Sequence, residues 1–207
     1  MTDTSGSRDA LAIEHVATLF EASIAAKRRS GPLLAGPVVR AARMMHERLS
    51  RGGKILCCGN GGSAADAQHF AAELLNRFEC ERPALAAIAL STDTSTLTSV
   101  ANDRDFTQVF ARQIEALAHP GDVLLAITTS GNSPNVEAAI RIACTRGASV
   151  VLLTGRDGGR ARGLLREHDV ELCVAHDSTA RIQEVHILLL HCLCSLLDQW
   201  VEGRDAR

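Results

Sequence analysis

Three groups of side chains in this sequence have the types and spacing to act on a ligand. Gly59-Asn60-Gly61-Gly62-Ser63 follows an apolar run and opens an amphipathic one. Glycines let the backbone turn sharply and approach a ligand, and a helix start offers unpaired N–H groups to an anion. Thr128-Thr129-Ser130-Gly131-Asn132-Ser133 places four hydroxyls and a glycine ahead of Pro134, which opens a helical stretch running to Arg146. Hydroxyls and amides at a helix N-terminus suit a monoester phosphate, and no Lys or Arg lies inside the cluster. A helix cap would account for Ser133 or Asn132 but not for the three hydroxyls before the glycine. Neither stretch is a Walker loop or a GxGxxG fingerprint.

The third group is two pairs. His69 and Glu73 are four residues apart and share one helical face. Gln183 and His191 are eight residues, about two turns, apart and also share a face, with His186 between them on another. Unpaired polar groups in apolar surroundings are costly, so two such pairs ask for a shared role. A divalent transition metal and a proton-transfer site are equally compatible with these residue types. Spacing does not bring the two helices together.

The elements that must carry these groups follow from periodicity. Apolar residues recur at helical spacing from Ala10 to Ala26, and Lys27-Arg28-Arg29 suits a helix end before Ser30-Gly31-Pro32. A second helix is expected from about Leu33 to Leu49, with Pro37 able to open it. Beyond Gly52-Gly53, short apolar runs at Lys54–Cys58, Ala84–Leu90, Asp122–Thr128, Ser149–Leu153 and Asp169–Val174 alternate with stretches long enough for crossover helices. That alternation predicts a parallel α/β sheet, and ligands gather at the C-terminal ends of such strands. With no Pro-, Gly- or Ser-rich linker and no internal repeat, the 207 residues read as one domain.

Composition narrows the function classes. Twenty-two Lys and Arg against 24 Asp and Glu give a net charge of -2, which offers no electrostatic footprint for nucleic acid. Aromatics are 3% with no Tyr, which disfavours a base-stacking platform. No apolar run is expected to reach membrane-span length; the best candidate, Val185–Leu197, is interrupted by His186 and His191. Asp3 and Asp9, without an apolar segment, do not suit a secretory signal. The seven cysteines form no CxxC pair and read as buried small hydrophobes in a reducing cytoplasm.

Together these stretches resemble the sugar isomerase (SIS) family and, within it, the phosphoheptose isomerases. The likeness is carried by Lys54–Phe70, Ala71–Arg77, Ala101-Asn102-Asp103, Thr128–Ser133, Leu153–Gly159, Arg181–His186 and His191, and it extends from the N-terminal helices to Leu197. It implies a three-layer α-β-α sandwich with a five-stranded parallel flavodoxin-like sheet. Residues from about 8 to 50 would form N-terminal helices that pack in a homotetramer with active sites between subunits. It implies a cytoplasmic aldose-ketose isomerase that converts sedoheptulose 7-phosphate to D-glycero-D-manno-heptose 7-phosphate, on the way to the lipopolysaccharide core.

Carried over residue by residue, the resemblance sets Asn60, Gly61, Gly62, Glu73, Asn102, Asp103 and Gln183 around the sugar and Thr128, Thr129, Ser130 and Ser133 around its phosphate. It makes Glu73 and His191 the proton-transfer pair. It makes His69, Glu73, Gln183 and His191 the ligands of one zinc ion per subunit. Many relatives carry Asp before the Arg-Ile-Gln motif, where this chain has Ala180. The pattern is also similar to replication initiator-associating proteins, tetrameric adaptors whose partner is the chromosomal replication initiator. The adaptors share the neighbourhoods Asn76–Glu79, Glu81-Arg82-Pro83 and Cys192-Leu193-Cys194, but lack the acid at position 73 and the imidazole at 191. Glu73 and His191 together favour the enzyme. They also disfavour a SIS-type sugar-phosphate sensor, which would keep the phosphate cup without catalytic groups.

Overall fold

Five runs of apolar residues build the sheet because parallel strands covered on both faces must be apolar along their whole length. The computed structural model describes residues 4–203, so Asp3 lies outside the described residues. The strands are β1 (Ile55–Gly59), β2 (Ala87–Ala89), β3 (Val123–Thr128), β4 (Ser149–Gly155) and β5 (Val170–Val174), all paired in parallel in the order β2-β1-β3-β4-β5. β1, β3 and β4 are buried at every position.

Alternate residues of each strand enter two separate cores. Ile55, Cys57, Val123, Leu125 and Ile127 join the side covered by α1 (Thr4–Ser50), α2 (Gly62–Leu75) and α7 (Thr179–Val201). Leu56, Cys58, Leu124 and Ala126 join the side covered by α4 (Ala111–Leu117) and α5 (Pro134–Thr145). The short helices α3 (Thr94–Asp103) and α6 (Gly159–Arg162) complete the three layers expected. The order of the strands reverses between β1 and β3, and the Gly59–Ser63 and Thr128–Ser133 loops leave those two strands on either side of that point. In open α/β sheets this is where a ligand crevice forms.

Three expectations need correction. The N-terminal region is one 47-residue helix, not two, and it runs through Pro32 and Pro37. Each proline removes one intrahelical hydrogen bond, but packing overrides that local loss. Leu34, Val38, Ala41, Ala42 and Met45 bury a continuous stripe in the core that α7 shares. Secondly, α7 is long and apolar enough to cross a membrane by length and composition alone. It is a core helix here: Ile182, Val185, Leu190, Leu193 and Leu197 face the sheet and α1. Its polar His186 is buried and pairs with the Thr154 carbonyl at 2.9 Å.

The cysteines are the third. All seven are free, but Cys57, Cys58 and Cys194 alone are buried, while Cys80, Cys144, Cys173 and Cys192 are half-buried. Burial pushes the Cys58 thiol up to about 12, and that of Cys194 to about 12 with the nearby carboxylates of Glu73 and Asp198 adding to it. These thiols are packing groups, not nucleophiles.

Candidate active site

The loop after β1 makes its turn at Gly61, whose φ of 55° is a left-handed conformation that favours glycine. Next to it, Gly62 has to lack a side chain, because a Cβ there would overlap the Gln183 amide reaching across from α7. Asn60 turns its side chain to Asn135 in the first turn of α5. The two amides exchange hydrogen bonds of 2.8 Å in each direction. The loops on the two sides of the switch point are therefore braced to each other.

In the loop after β3, Ser133 occupies the N-cap position of α5 but makes no side-chain cap bond. Its hydroxyl instead meets the Thr128 hydroxyl at 2.9 Å. Ser130 Oγ accepts the Asn132 N–H at 3.1 Å, folding the loop back on itself. Gly131 has φ 66° and lies against the neighbouring loop so closely that a Cβ would overlap the Gly158 carbonyl. The Ala161 N–H donates to the Gly131 carbonyl at 2.9 Å. Asn132 accepts the Arg160 N–H at 3.1 Å. The hydroxyl loop thus has a fixed shape, with Thr128, Thr129, Ser130 and Ser133 gathered at the head of α5.

Farther along α2 three of the four expected side chains come together, while Gln183 lies against Gly62 nearer the start of the helix. His69 Nε2 lies 3.1 Å from His191 Nε2 and 3.3 Å from Glu73 Oε1. Phe78 stacks on the His191 ring at a centroid distance of 5.4 Å and fixes its plane. Two imidazole nitrogens this close must have one proton or one cation between them. With the proton on His69, Nε2 faces both His191 and Glu73; with it on His191, that ring is the donor. α2 and α7 run side by side, with Gln183 against Gly62 and His191 against His69.

Two imidazoles and a carboxylate are donors of a transition-metal site, while the Gln183 amide sits at another level of α7, against Gly62. Ligand atoms around a tetrahedral zinc at about 2.0–2.1 Å stand roughly 3.3 Å apart, close to the two separations centred on His69. Among the described residues, however, no group of three or more His, Cys, Asp and Glu side chains is arranged as a complete metal site. No ion pair joins Glu73 to His191. The fit is that of two edges of a coordination polyhedron.

Asn102 and Asp103 end α3, where Asn102 Nδ2 donates to Asp103 Oδ1 at 2.8 Å; both are exposed and neither hydrogen-bonds to the two loops. Ala180, in the first turn of α7, is exposed. Sequence reasoning missed Asn135 and Phe78. Asn135 follows a proline at a helix start, where an Asn reads as turn chemistry. Phe78 lies in an irregular segment with no periodicity to give it a direction.

The comparisons with known proteins identify the family. Residues 19–155 match the SIS domain family. Phosphoheptose isomerases from Azoarcus sp. (strain BH72) and Aromatoleum aromaticum are 61% and 62% identical over 186 residues, covering 90% of this chain and 94% of each relative. The solved structure of the phosphoheptose isomerase from Neisseria gonorrhoeae superposes with a TM-score of 0.85 at 52% identity, covering 90% of this chain and 98% of that one. The one from Francisella tularensis gives 0.88 at 45% identity, covering 91% and 98%. By sequence, by fold and by nearly complete mutual coverage, this chain belongs to the phosphoheptose isomerase family of SIS-domain proteins.

Proposed function

We propose that the protein isomerises sedoheptulose 7-phosphate to D-glycero-D-manno-heptose 7-phosphate, in the cytoplasm and as a homotetramer of single SIS domains. The observation that carries this reading is the convergence of Glu73, His69 and His191 on one locus. A ketose-to-aldose conversion needs a base to take a proton from C1 and an acid to protonate the carbonyl oxygen at C2. Glu73 takes the C1 proton, its electron pair forms the C1–C2 double bond, and His191 delivers a proton to the C2 oxygen. The product is a cis-enediol. Loss of the O1 proton and return of a proton to C2 then give the aldose.

Thr128, Thr129, Ser130 and Ser133 bind the phosphate with neutral donors at the head of α5, where the helix dipole favours an anion. That Ser133 spends no hydrogen bond on capping supports this role. Asn60, Gly61, Gly62 and Gln183 line the sugar's path at the switch point, and Asn102 and Asp103, exposed at the end of α3, would contact the sugar once it is bound. His69, Glu73, Gln183 and His191 would hold zinc, which when bound polarises the sugar carbonyl. Without the metal, His69 Nε2 lies within reach of both Glu73 and His191 and holds the two together. The tetramer is supported by α1, whose Leu11, Ile13, Val16 and Phe20 are exposed along the helix.

Purified protein incubated with sedoheptulose 7-phosphate, with and without added zinc, tests the reading. Formation of aldose that is lost in E73Q is the expected result. Wild type that stays inert under both metal conditions while folded would overturn it and leave the adaptor reading in the lead.

A further inference from the structure

The last turn of α2, which carries Glu73, is held from outside the helix. The final carbonyls of a helix have no donor within it. Arg82, in the segment between α2 and β2, turns its guanidinium back to supply one, with none of its side chain exposed. Nη2 donates to the Glu73 carbonyl at 2.7 Å, Nη1 to the Leu74 carbonyl at 3.0 Å and to the Pro83 carbonyl at 3.0 Å, and Nε donates to Asp198. Asp198 is two turns past His191 on α7. Its other carboxylate oxygen accepts the Glu79 N–H at 3.2 Å and the Cys80 thiol at 3.3 Å.

A buried ion pair is poor evidence of a stabilising device, because desolvation of both charges offsets their attraction. What this pair fixes is a position. A guanidinium is a rigid planar fork that here serves three carbonyls and a carboxylate at once, one acceptor more than an ammonium has donors. α2 and α7 are therefore matched at three levels: Gln183 over Gly62, His191 against His69, and Asp198 through Arg82 to the backbone of Glu73 itself. The third level is the one that grips the backbone of Glu73 itself.

We infer that Arg82 and Asp198 are positioning residues for the isomerisation, holding the end of α2 against α7 so that Glu73 and His191 address the same substrate carbons. This rests on the reading of Glu73 and His191 as the proton-transfer pair. Neither Arg82 nor Asp198 touches the phosphate loop, so the clamp acts on the chemical step and not on capture of the phosphate.

Three variants test it on the full-length protein with sedoheptulose 7-phosphate: R82K, the charge-free pair R82M/D198L, and E73Q in parallel. R82K keeps the buried cation and loses the fork. It is expected to lower kcat about tenfold or more, as displacement of a catalytic group by an ångström does, with KM within about twofold of wild type. R82M/D198L removes both charges together and is expected to recover the melting temperature without recovering kcat. Wild-type kcat in R82K, or kcat that returns with stability in the double variant, would make the pair structural and overturn the inference. Should the double variant not fold, kcat and KM of R82K per folded protein decide alone. An active wild type with an active E73Q sinks the role of Glu73; an inactive E73Q with an unaffected R82K sinks only the clamp.

Discussion

Asn60 and Asn135 exchange two side-chain hydrogen bonds of 2.8 Å between the loops that follow β1 and β3, and so join the glycine loop to the head of α5. Asn135 is 3% exposed and its Oδ1 also accepts the Val136 N–H at 3.0 Å, so its amide cannot rotate away. The consequence for N135A is an Asn60 amide left without its partner. The expected cost is about 1–3 kcal/mol in urea unfolding. KM for the sugar phosphate should rise with it, because the two loops lose their common reference. Steady-state kinetics giving an unchanged KM in a destabilised N135A would show that the brace serves the fold alone.

Ser133 separates a phosphate ligand from a helix cap. Its hydroxyl contacts Thr128 Oγ1 and no backbone N–H of α5. S133A should therefore raise KM by roughly 10-fold or more, the worth of a hydrogen bond to a charged group. It should leave unfolding within about 0.5 kcal/mol of wild type, since no cap bond is lost. A loss near 1 kcal/mol with KM unchanged would identify Ser133 as a cap after all.

His186 gives the fold a pH dependence of predictable sign. Burial holds its imidazole down at about 4 against an ordinary 6.5, with the hydrogen bond to the Thr154 carbonyl pulling partly the other way. Above 6.5 both folded and unfolded chains carry the neutral ring, and its contribution is fully present. Between 6.5 and about 4 the unfolded chain takes up a proton that the folded chain refuses, so stability falls as pH falls. The loss across that window should approach about 3 kcal/mol. Asp169 and Asp198 are held below the ordinary carboxylate value of 3.8, so their stabilisation is lost only at more acid pH. For Asp198, burial opposes ionisation, and the hydrogen bonds from Arg82, Cys80 and the Glu79 N–H outweigh it. Urea unfolding of wild type and H186Q at several pH values checks this; equal slopes in the two proteins between pH 6.5 and 4 would remove His186 as the source.

What the sequence made legible follows from how far each signal reaches along the chain. The strands were visible because burial on both faces forces a contiguous apolar run, and both ligand loops because glycine and hydroxyl clusters at strand ends are local features. The unbroken α1 was not visible: Gly31-Pro32 and Pro37 are local stop signals, and what overrides them is the stripe from Leu34 to Met45 packing in the core that α7 shares. Asn135 and Arg82 depend on partners 75 and 116 residues away. Nothing near Arg82 distinguishes it from a solvated loop cation. His69 and Glu73 lay within one turn and could be paired by spacing, whereas His191 needed the parallel course of α2 and α7 to reach them.

The first turns of α1 have a thermodynamic consequence. Residues 8–21 are exposed throughout, with Leu11 63%, Ile13 71% and Phe20 66% accessible, so no surface of the same chain covers their apolar side chains. An isolated helix of such length is marginal in water. Its persistence is then governed by mass action: where other copies of the chain cover it, helicity there is a property of protein concentration and not of sequence alone. Dilution should unwind this segment before the sheet loses its cooperative melt, seen as far-ultraviolet dichroism that declines while the core's thermal transition persists. Helicity indifferent to dilution down to a demonstrated monomer would show that the segment holds itself.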